Sequence, residues 1–188
     1  MIGLHESAVF VNKGNTHNQT DNDLMDIGSI DSDYPGSVFY YDRQNNFGQK
    51  LSPGSYYDVV VLGGMQGGLR KVTFPSTDTM KISHLFHIEE YTRFEPQTST
   101  IISKGNAIFK NIEIFDGDGQ GSMAFDTVDV SGSKIAGATG SNGWYTVKGE
   151  FRVATGDFEM QNGTIYVEGK TIISAGNILN VTTKSGER

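Results

Sequence analysis

The 188-residue chain contains no cysteine, which excludes both a disulfide-stapled scaffold and any metal site built on thiolate ligands. It has only four prolines, and it lacks the run of about 18 apolar residues that indicates a membrane-spanning helix. Basic residues are also in deficit, with 15 Lys and Arg against 22 Asp and Glu, giving a formal net charge of −7. That balance argues against a protein that tracks nucleic-acid phosphates. We therefore expect no nucleic-acid partner and no membrane insertion.

Small and polar residues are abundant instead. The chain has 24 glycines, where an average protein of this length has roughly 13, together with 16 Ser, 16 Thr and 12 Asn. Combined with the absence of Cys and only 20% charged residues, this composition predicts an extracellular protein. The N-terminus lacks the basic and apolar regions of a signal peptide. We therefore expect a fragment of a longer secreted chain.

Apolar residues alternate with polar ones along most of the chain, which is the pattern of β-strands rather than helices. Such pairs occur at Ile112 and Ile114, at Met123 and Phe125, and at Phe151 and Val153. The runs end at Gly and Asn, which accept turn conformations at low cost. From residue 83 the chain divides into stretches of about 20 residues, namely 83–103, 106–126, 127–149, 150–169 and 170–183.

A right-handed parallel β-solenoid with coils of about 20 residues explains this spacing, because each coil then needs only short strands and tight turns. Residues 36–41, 98–103 and 162–167 resemble one another and indicate a longer repeat. The alternative is an antiparallel β-sandwich, in which Asn162 and Gly163 would form a hairpin turn. We expect residues 1–30 to be a polar, partly irregular or capping segment, and residues 31–188 to be the solenoid.

Two runs carry a resemblance to known proteins, Gly36-Ser-Val-Phe-Tyr-Tyr41 and Leu51-Ser-Pro-Gly-Ser-Tyr-Tyr-Asp-Val-Val-Val-Leu-Gly-Gly64. Together they resemble a motif of the repeat-rich cell-surface adhesins and filament proteins that Bacteroidota export by type IX secretion. Asp58 stands where that family has Asn, and Ser83 and His84 stand where it has Gly. The resemblance implies a cell-surface or extracellular location and a structural or adhesive role.

Aromatic residues are the predicted contact groups. They make up 11% of the chain, and exposed aromatic faces are typical of sugar-binding surfaces, although stacked aromatics also fill solenoid cores. Trp144, with its neighbour Tyr145, lies in a Gly- and Asn-rich insertion and is the strongest candidate. Tyr41 and Tyr57 are further candidates, on the expectation that they face outward. The predicted partners are surfaces, glycans or neighbouring protein chains.

One loop has the composition of a calcium site. Asp116 and Asp118 lie two residues apart between glycines, so two carboxylates and several backbone carbonyls could turn inward onto a hard cation. The alternative interpretation is a solvated turn. A second metal candidate is weaker, because His84 and His87 would point to opposite faces of a strand and could not share an ion.

No catalytic motif is present in the sequence, so we expect no enzyme and name no catalytic residue. The predicted function is an extracellular structural or adhesive module whose loops contact surfaces or glycans. The alternatives are a carbohydrate-active β-helix, such as a polysaccharide-binding module or a protein like a phage tail spike, and an antiparallel binding module. Uncapped solenoid ends expose strand edges, so self-association through the ends is a further expectation.

Overall fold

The fold was analysed in a computed structural model, which describes residues 2–3, 5–12, 30–42, 49–63, 70–74, 78–95, 99–116, 122–130, 134–137, 144–154, 158–160, 164–174 and 179–181. Within these ranges the regular structure is β-strand, numbered here in chain order. The larger sheet contains β1 (Ile2–Gly3), β2 (Val9–Asn12), β3 (Ile30–Ser32), β4 (Val38–Tyr41), β6 (Gly54–Val61), β8 (Thr79–Ile88), β10 (Thr100–Phe109), β12 (Ser122–Asp129), β14 (Trp144–Val153), β16 (Thr164–Val167) and β17 (Lys170–Ile173). The smaller sheet contains β5 (Gln49–Lys50), β7 (Arg70–Thr73), β9 (Thr92–Glu95), β11 (Glu113–Asp116), β13 (Lys134–Gly137), β15 (Phe158–Met160) and β18 (Leu179–Val181).

Neighbouring strands in both sheets run parallel, and from β5 onward the chain passes from one sheet to the other as it advances. Met80 lies opposite Ile101, which lies opposite Met123, so each of these coils has about 20 residues, as predicted. Parallel neighbours need crossover connections, whereas a sandwich of the predicted alternative kind is built from antiparallel strands. The predicted β-solenoid is therefore confirmed, and the antiparallel alternative is wrong.

A corner divides the long strands of the larger sheet into two arms. Residues 104 and 105 of β10 lie opposite the single residue 126 of β12, so the register shifts there. We call the part before the corner the first arm and the part after it the second arm. With the smaller sheet, each described coil from β3 onward therefore has three strand segments.

The predicted coil starts lie close to this corner in the structure. Four residues lie in register immediately after it, namely Asn106, Thr127, Glu150 and Lys170. These are the predicted first residues of four coils. From residue 106 onward, the predicted coil starts therefore lie at equivalent positions of the structure. The predicted start at residue 83 falls two residues before Leu85, which is the residue opposite Asn106.

The spacing between the similar runs 36–41 and 98–103 does not reflect equivalent positions. Thr100 and Thr164 belong to the first arm and lie three coils apart in the same register. Val38–Tyr41, in contrast, pairs with residues 58–61 of the second arm. Both arms alternate apolar and polar side chains with the same period, so a strand of one arm resembles a strand of the other.

Inward-facing side chains of successive coils stack in columns that form a continuous core. One column of the second arm contains five side chains, each at most 3% exposed, namely Val59, Phe86, Ala107, Val128 and Phe151. Phe109, in the adjacent column, packs edge-on against Phe86 with ring centroids 5.4 Å apart. Burial of these side chains between coils is the main favourable contribution to folding.

The larger sheet begins inside the segment predicted to be polar and partly irregular. In β1, Ile2 lies opposite Ile30, and in β2, Val9 lies opposite Val38. Residues 13–29, which make up most of that segment, lie outside the described residues. Two short strands of residues 1–30 therefore extend the solenoid toward the N-terminus.

Candidate functional site

Trp144 and Tyr145 are placed by their backbone at the start of β14. They lie opposite Ser122 and Met123 of the preceding coil. Their side chains lie outside the described part of the structure. The contact role predicted for both residues therefore stays a prediction.

The predicted calcium loop is placed only at its first residue. The backbone of Asp116 ends β11 and lies opposite Gly137, while the Asp116 side chain and all of Asp118 lie outside the described residues. Within the ranges that are described, no three His, Asp or Glu side chains come together in a way that could hold a metal ion. The calcium site also stays a prediction.

The expectation that Tyr41 faces outward is wrong, because its side chain is completely buried. The Ser52 N–H donates to the Tyr41 hydroxyl at 2.9 Å, and the Tyr56 hydroxyl donates to the Ser52 carbonyl at 2.7 Å. The two hydroxyls are 2.9 Å apart, and since Tyr56 gives its one proton to Ser52, Tyr41 is the donor between them. This closed ring lets the polar groups be buried without losing hydrogen bonds. Burial raises the pKa of Tyr41 and raises that of Tyr56 further.

Tyr57 is a half-buried residue at the corner, where polar and aromatic side chains of two successive coils meet. Its ring stacks on the imidazole of His84 in the next coil, with centroids 4.9 Å apart and planes 14° from parallel. The carboxylate of Asp58, which follows Tyr57 in β6, also reaches His84. We name Tyr57, Asp58 and His84 together the Tyr57 corner.

The Asp58 carboxylate fixes the orientation of the His84 ring. Nδ1 of His84 donates to Oδ1 of Asp58 at 2.7 Å, and the side chains are 55% and 14% exposed, respectively. When Nδ1 carries the proton in the neutral ring, Nε2 is left as a hydrogen-bond acceptor. The corner therefore combines an aromatic ring, a carboxylate and an oriented imidazole, of which the imidazole is exposed.

The local sequence produces this site through the register shift at the corner. Tyr57 lies opposite two residues of β8, Ser83 and His84, so His84 is released from the regular inward–outward alternation. In the next coil Gly105 lies opposite His84, and a Cβ at Gly105 would overlap the His84 carbonyl oxygen. The corner therefore forms with Ser83 and His84 in place of the Gly implied by the resemblance, and the close approach that requires a glycine comes at Gly105.

The prediction that His84 and His87 point to opposite faces is wrong. His84 is exposed, and His87 alternates with the buried Phe86 and Ile88, so both imidazoles lie on the outside of the solenoid. The strand alternation on which the prediction depended is interrupted at the corner between them. Burial among its neighbours lowers the pKa of His87, with Glu89 opposing the shift and Lys110 adding to it.

The contact between Asp58 and His84 could not be predicted from the sequence, because the two residues are far apart along the chain. Asp58 and His84 are 26 residues apart. This is the length of the coil that leads from β6 to β8, because Gly54 and Met80 lie opposite each other at the same separation. An acid and a base one coil apart become direct neighbours in a parallel solenoid. A search for such pairs at the coil spacing is the signal that could have found this site.

Comparisons of the chain with protein-family models, with curated proteins and with solved structures found no match. The fold and the Tyr57 corner therefore carry the functional argument. The resemblance to cell-surface adhesins and filament proteins of Bacteroidota stays a prediction from sequence.

Proposed function

We propose that the chain is an extracellular structural and adhesive module of a larger cell-surface or filament protein, and that the Tyr57 corner is one of its contact sites for glycans. The observation that carries this proposal is the stack of the half-buried Tyr57 ring on the exposed His84 imidazole, with Asp58 hydrogen-bonded to that imidazole. Adhesive contact needs chemical groups that can reach a ligand and a rigid support that holds them in place. The Tyr57 corner supplies the groups, and the coils beneath it supply the support.

The corner offers the chemistry that a sugar ring requires. The C–H groups of a pyranose pack against an aromatic surface such as that of Tyr57, because both are apolar. The hydroxyl groups of the sugar hydrogen-bond to planar polar groups, here the Asp58 carboxylate and Nε2 of His84. A hydrogen bond to an ionised carboxylate is stronger than one between neutral groups, so Asp58 is the expected main polar anchor.

The coils beneath the corner give it a rigid support. Tyr56 and Ile82, which flank the corner in β6 and β8, are at most 1% exposed and belong to the core. The same strands are hydrogen-bonded to neighbouring strands on both sides, so the backbone that carries Tyr57 and His84 is held in place by four successive strands of the sheet. A preorganised site loses less entropy when it binds its ligand.

The test is binding of the chain to a panel of neutral and acidic oligosaccharides, measured for the unmodified chain and for Tyr57→Ala. We expect at least one sugar to bind, and we expect Tyr57→Ala to weaken that binding by about tenfold, a loss of about 1.4 kcal/mol. Tyr166→Ala is the matched control, since Tyr166 is 46% exposed and belongs to the first arm of a different coil. A panel without any bound sugar, or equal losses in both variants, would contradict the glycan contact.

A second candidate function is a carbohydrate-active β-helix that cleaves its polysaccharide. The Asp58–His84 hydrogen bond favours it, because a carboxylate that orients an imidazole leaves Nε2 available to take a proton. Incubation with polysaccharides and assay of new chain ends would separate the two candidates. Turnover that disappears in His84→Ala would favour the enzyme, and binding without turnover would favour the adhesive module.

A further inference from the structure

The N-terminal end of the second arm is a strand edge without the usual protection. Among the described residues β2 pairs with β4 alone, and its sequence is Val-Phe-Val-Asn. Val9 is 62% exposed and Val11 is 44% exposed. Natural edge strands discourage pairing with other chains by means of charges, proline or bulges. β2 has no charged residue and no proline, so it is suited to accept another strand.

At the C-terminal end, the core columns of the second arm continue into exposed side chains. Thr171 and Ile173 of β17 lie opposite Phe151 and Val153, which are at most 3% exposed. The same two columns end in an exposed Thr171 and in Ile173, which is 42% exposed. Apolar surface of this kind is normally covered by the next coil of a solenoid.

The two ends fit each other in direction and in register. β2 and β17 belong to the same arm and run in the same direction through a stack of parallel strands. Phe10 of β2 is partly buried and stacks on Phe39 at 4.7 Å, in the column that continues through Val59 to Phe86. That column reaches Thr171 at the other end. A second copy placed with its Phe10 over Thr171 would continue the column.

We propose that copies of this chain associate head to tail, with β2 of one copy adding to β17 of the next as a further parallel strand. The contact repeats the interface between coils inside the chain, so it is a continuation of an interface already present. In this register Val9 of one copy lies opposite Lys170 of its neighbour, and Asn12 lies opposite Ile173. The two surfaces differ, and each copy is added along the direction in which the parallel strands stack, so the contact builds open linear assemblies. The inference does not depend on glycan binding at the Tyr57 corner.

The first test is the mass of the unmodified chain in sedimentation at increasing protein concentration. We expect the average mass to rise steadily beyond that of a dimer, because each added copy presents a new free end. Ile173→Lys should strongly reduce this rise, since the next copy would bury an ammonium group above Val153 with no acidic partner, only Asn12, opposite it. A monomer at every concentration, or an undiminished rise in Ile173→Lys, would overturn the proposal.

The register is tested by charge. Val9→Lys faces Lys170 of the neighbouring copy, and like charges on opposite strands should weaken association by up to about fivefold. Adding Lys170→Glu to the same chain turns this repulsion into attraction and should restore association. Val9 and Ile173 are both exposed in the monomer, so their replacement by Lys should not disturb the fold. Circular dichroism should therefore show the same β-structure for all variants. Failure of Lys170→Glu to restore association in the folded double variant would contradict the register.

A mixing experiment separates head-to-tail contact from pairing of two identical ends. Val9→Lys keeps an intact C-terminal end, and Ile173→Lys keeps an intact N-terminal end. At one total concentration, an equimolar mixture should have a higher average mass than either variant alone, because it pairs an intact N-terminal end with an intact C-terminal end. Dimers of Ile173→Lys by itself would instead show that two N-terminal ends pair, which would overturn the head-to-tail arrangement.

Discussion

The middle and the last coil of the solenoid have the same strand arrangement but differ in how well their side chains are buried. The largest fully buried side chains all come from residues 39–109 and include Tyr41, Tyr56, Phe86 and Phe109. In the last coil, Thr171 and Ile173 occupy core columns and are exposed. In a structure where each coil contacts only its neighbours, local stability follows local burial. We therefore expect the coils to open from the C-terminal end while the Tyr57 corner stays intact.

The largest expected effect is a difference in lost stability between two positions of a single core column. Phe86→Ala removes a fully buried ring, which should lower the free energy of unfolding by about 3–5 kcal/mol. Thr171→Ala alters the same column in the last coil, where the side chain is exposed, and should change it by less than about 0.5 kcal/mol. Urea unfolding followed by circular dichroism measures both values. Similar losses at the two positions would contradict the proposed difference between the coils.

The next effect concerns the glycines of the corner. A Cβ at Gly105 would overlap the His84 carbonyl, and a Cβ at Gly169 would overlap the carbonyl of Gly149. Gly105 lies between two well-packed coils that cannot move apart, so Gly105→Ala should cost about 1–3 kcal/mol. Gly169 belongs to the last coil, which can shift to make room, so Gly169→Ala should cost clearly less. Thermal unfolding of the two variants tests this order, and a larger loss in Gly169→Ala would reverse it.

A comparable effect is expected from the buried hydroxyl ring. Tyr41→Phe removes the acceptor of the Ser52 N–H and the donor to Tyr56, so the free energy of unfolding should fall by about 1–3 kcal/mol. Tyr166→Phe, in an exposed ring of the last coils, is the control and should be nearly neutral. Burial holds Tyr41 and Tyr56 protonated in the folded state, while the unfolded chain ionises near pH 10. The loss of stability above pH 10 should therefore be smaller in Tyr41→Phe than in the unmodified chain.

The smallest effect is the pH dependence contributed by His87. Burial lowers its pKa below the ordinary value of 6.5, so the folded state favours the neutral imidazole. As the pH falls through 6.5, the unfolded chain takes up this proton first, and the free energy of unfolding decreases. His87→Gln should therefore lose less stability between pH 7.5 and pH 5.5 than the unmodified chain, as measured by urea unfolding at both values. Equal losses would show that His87 does not contribute.

Fold class could be predicted from the sequence because it depends on local patterns. Alternating pairs such as Met123 and Phe125 indicate strands, and both side chains are buried as the alternation requires. The coil starts at residues 106, 127, 150 and 170 could be predicted because each follows the corner, where the two-residue alternation is interrupted. The three-sided cross-section could not be predicted, since both arms of the larger sheet have the same two-residue period.

The candidate site depends on contacts between coils, and these are not visible in a single stretch of sequence. Tyr41 and Tyr57 both lie in strands, yet Tyr41 faces the core, where its hydroxyl bonds to Ser52 and Tyr56, whereas Tyr57 lies at the corner. The Asp58–His84 bond depends on a coil that is several residues longer than the predicted repeat. A local pattern predicts the strand, but the register with the next coil decides which side chains meet.

The central claim is that the densely packed middle coils, which hold the Tyr57 corner, are more stable than the last coil, whose core positions are exposed. Native-state hydrogen exchange of individual amides tests this claim most directly. The measurement should be made at a concentration where the chain is monomeric. We predict the slowest exchange in β6, β8 and β10, with opening energies close to that of global unfolding, and progressively faster exchange through β14 to β16 and β17. Equal protection along the whole stack, or slower exchange in β17 than in β8, would contradict this account.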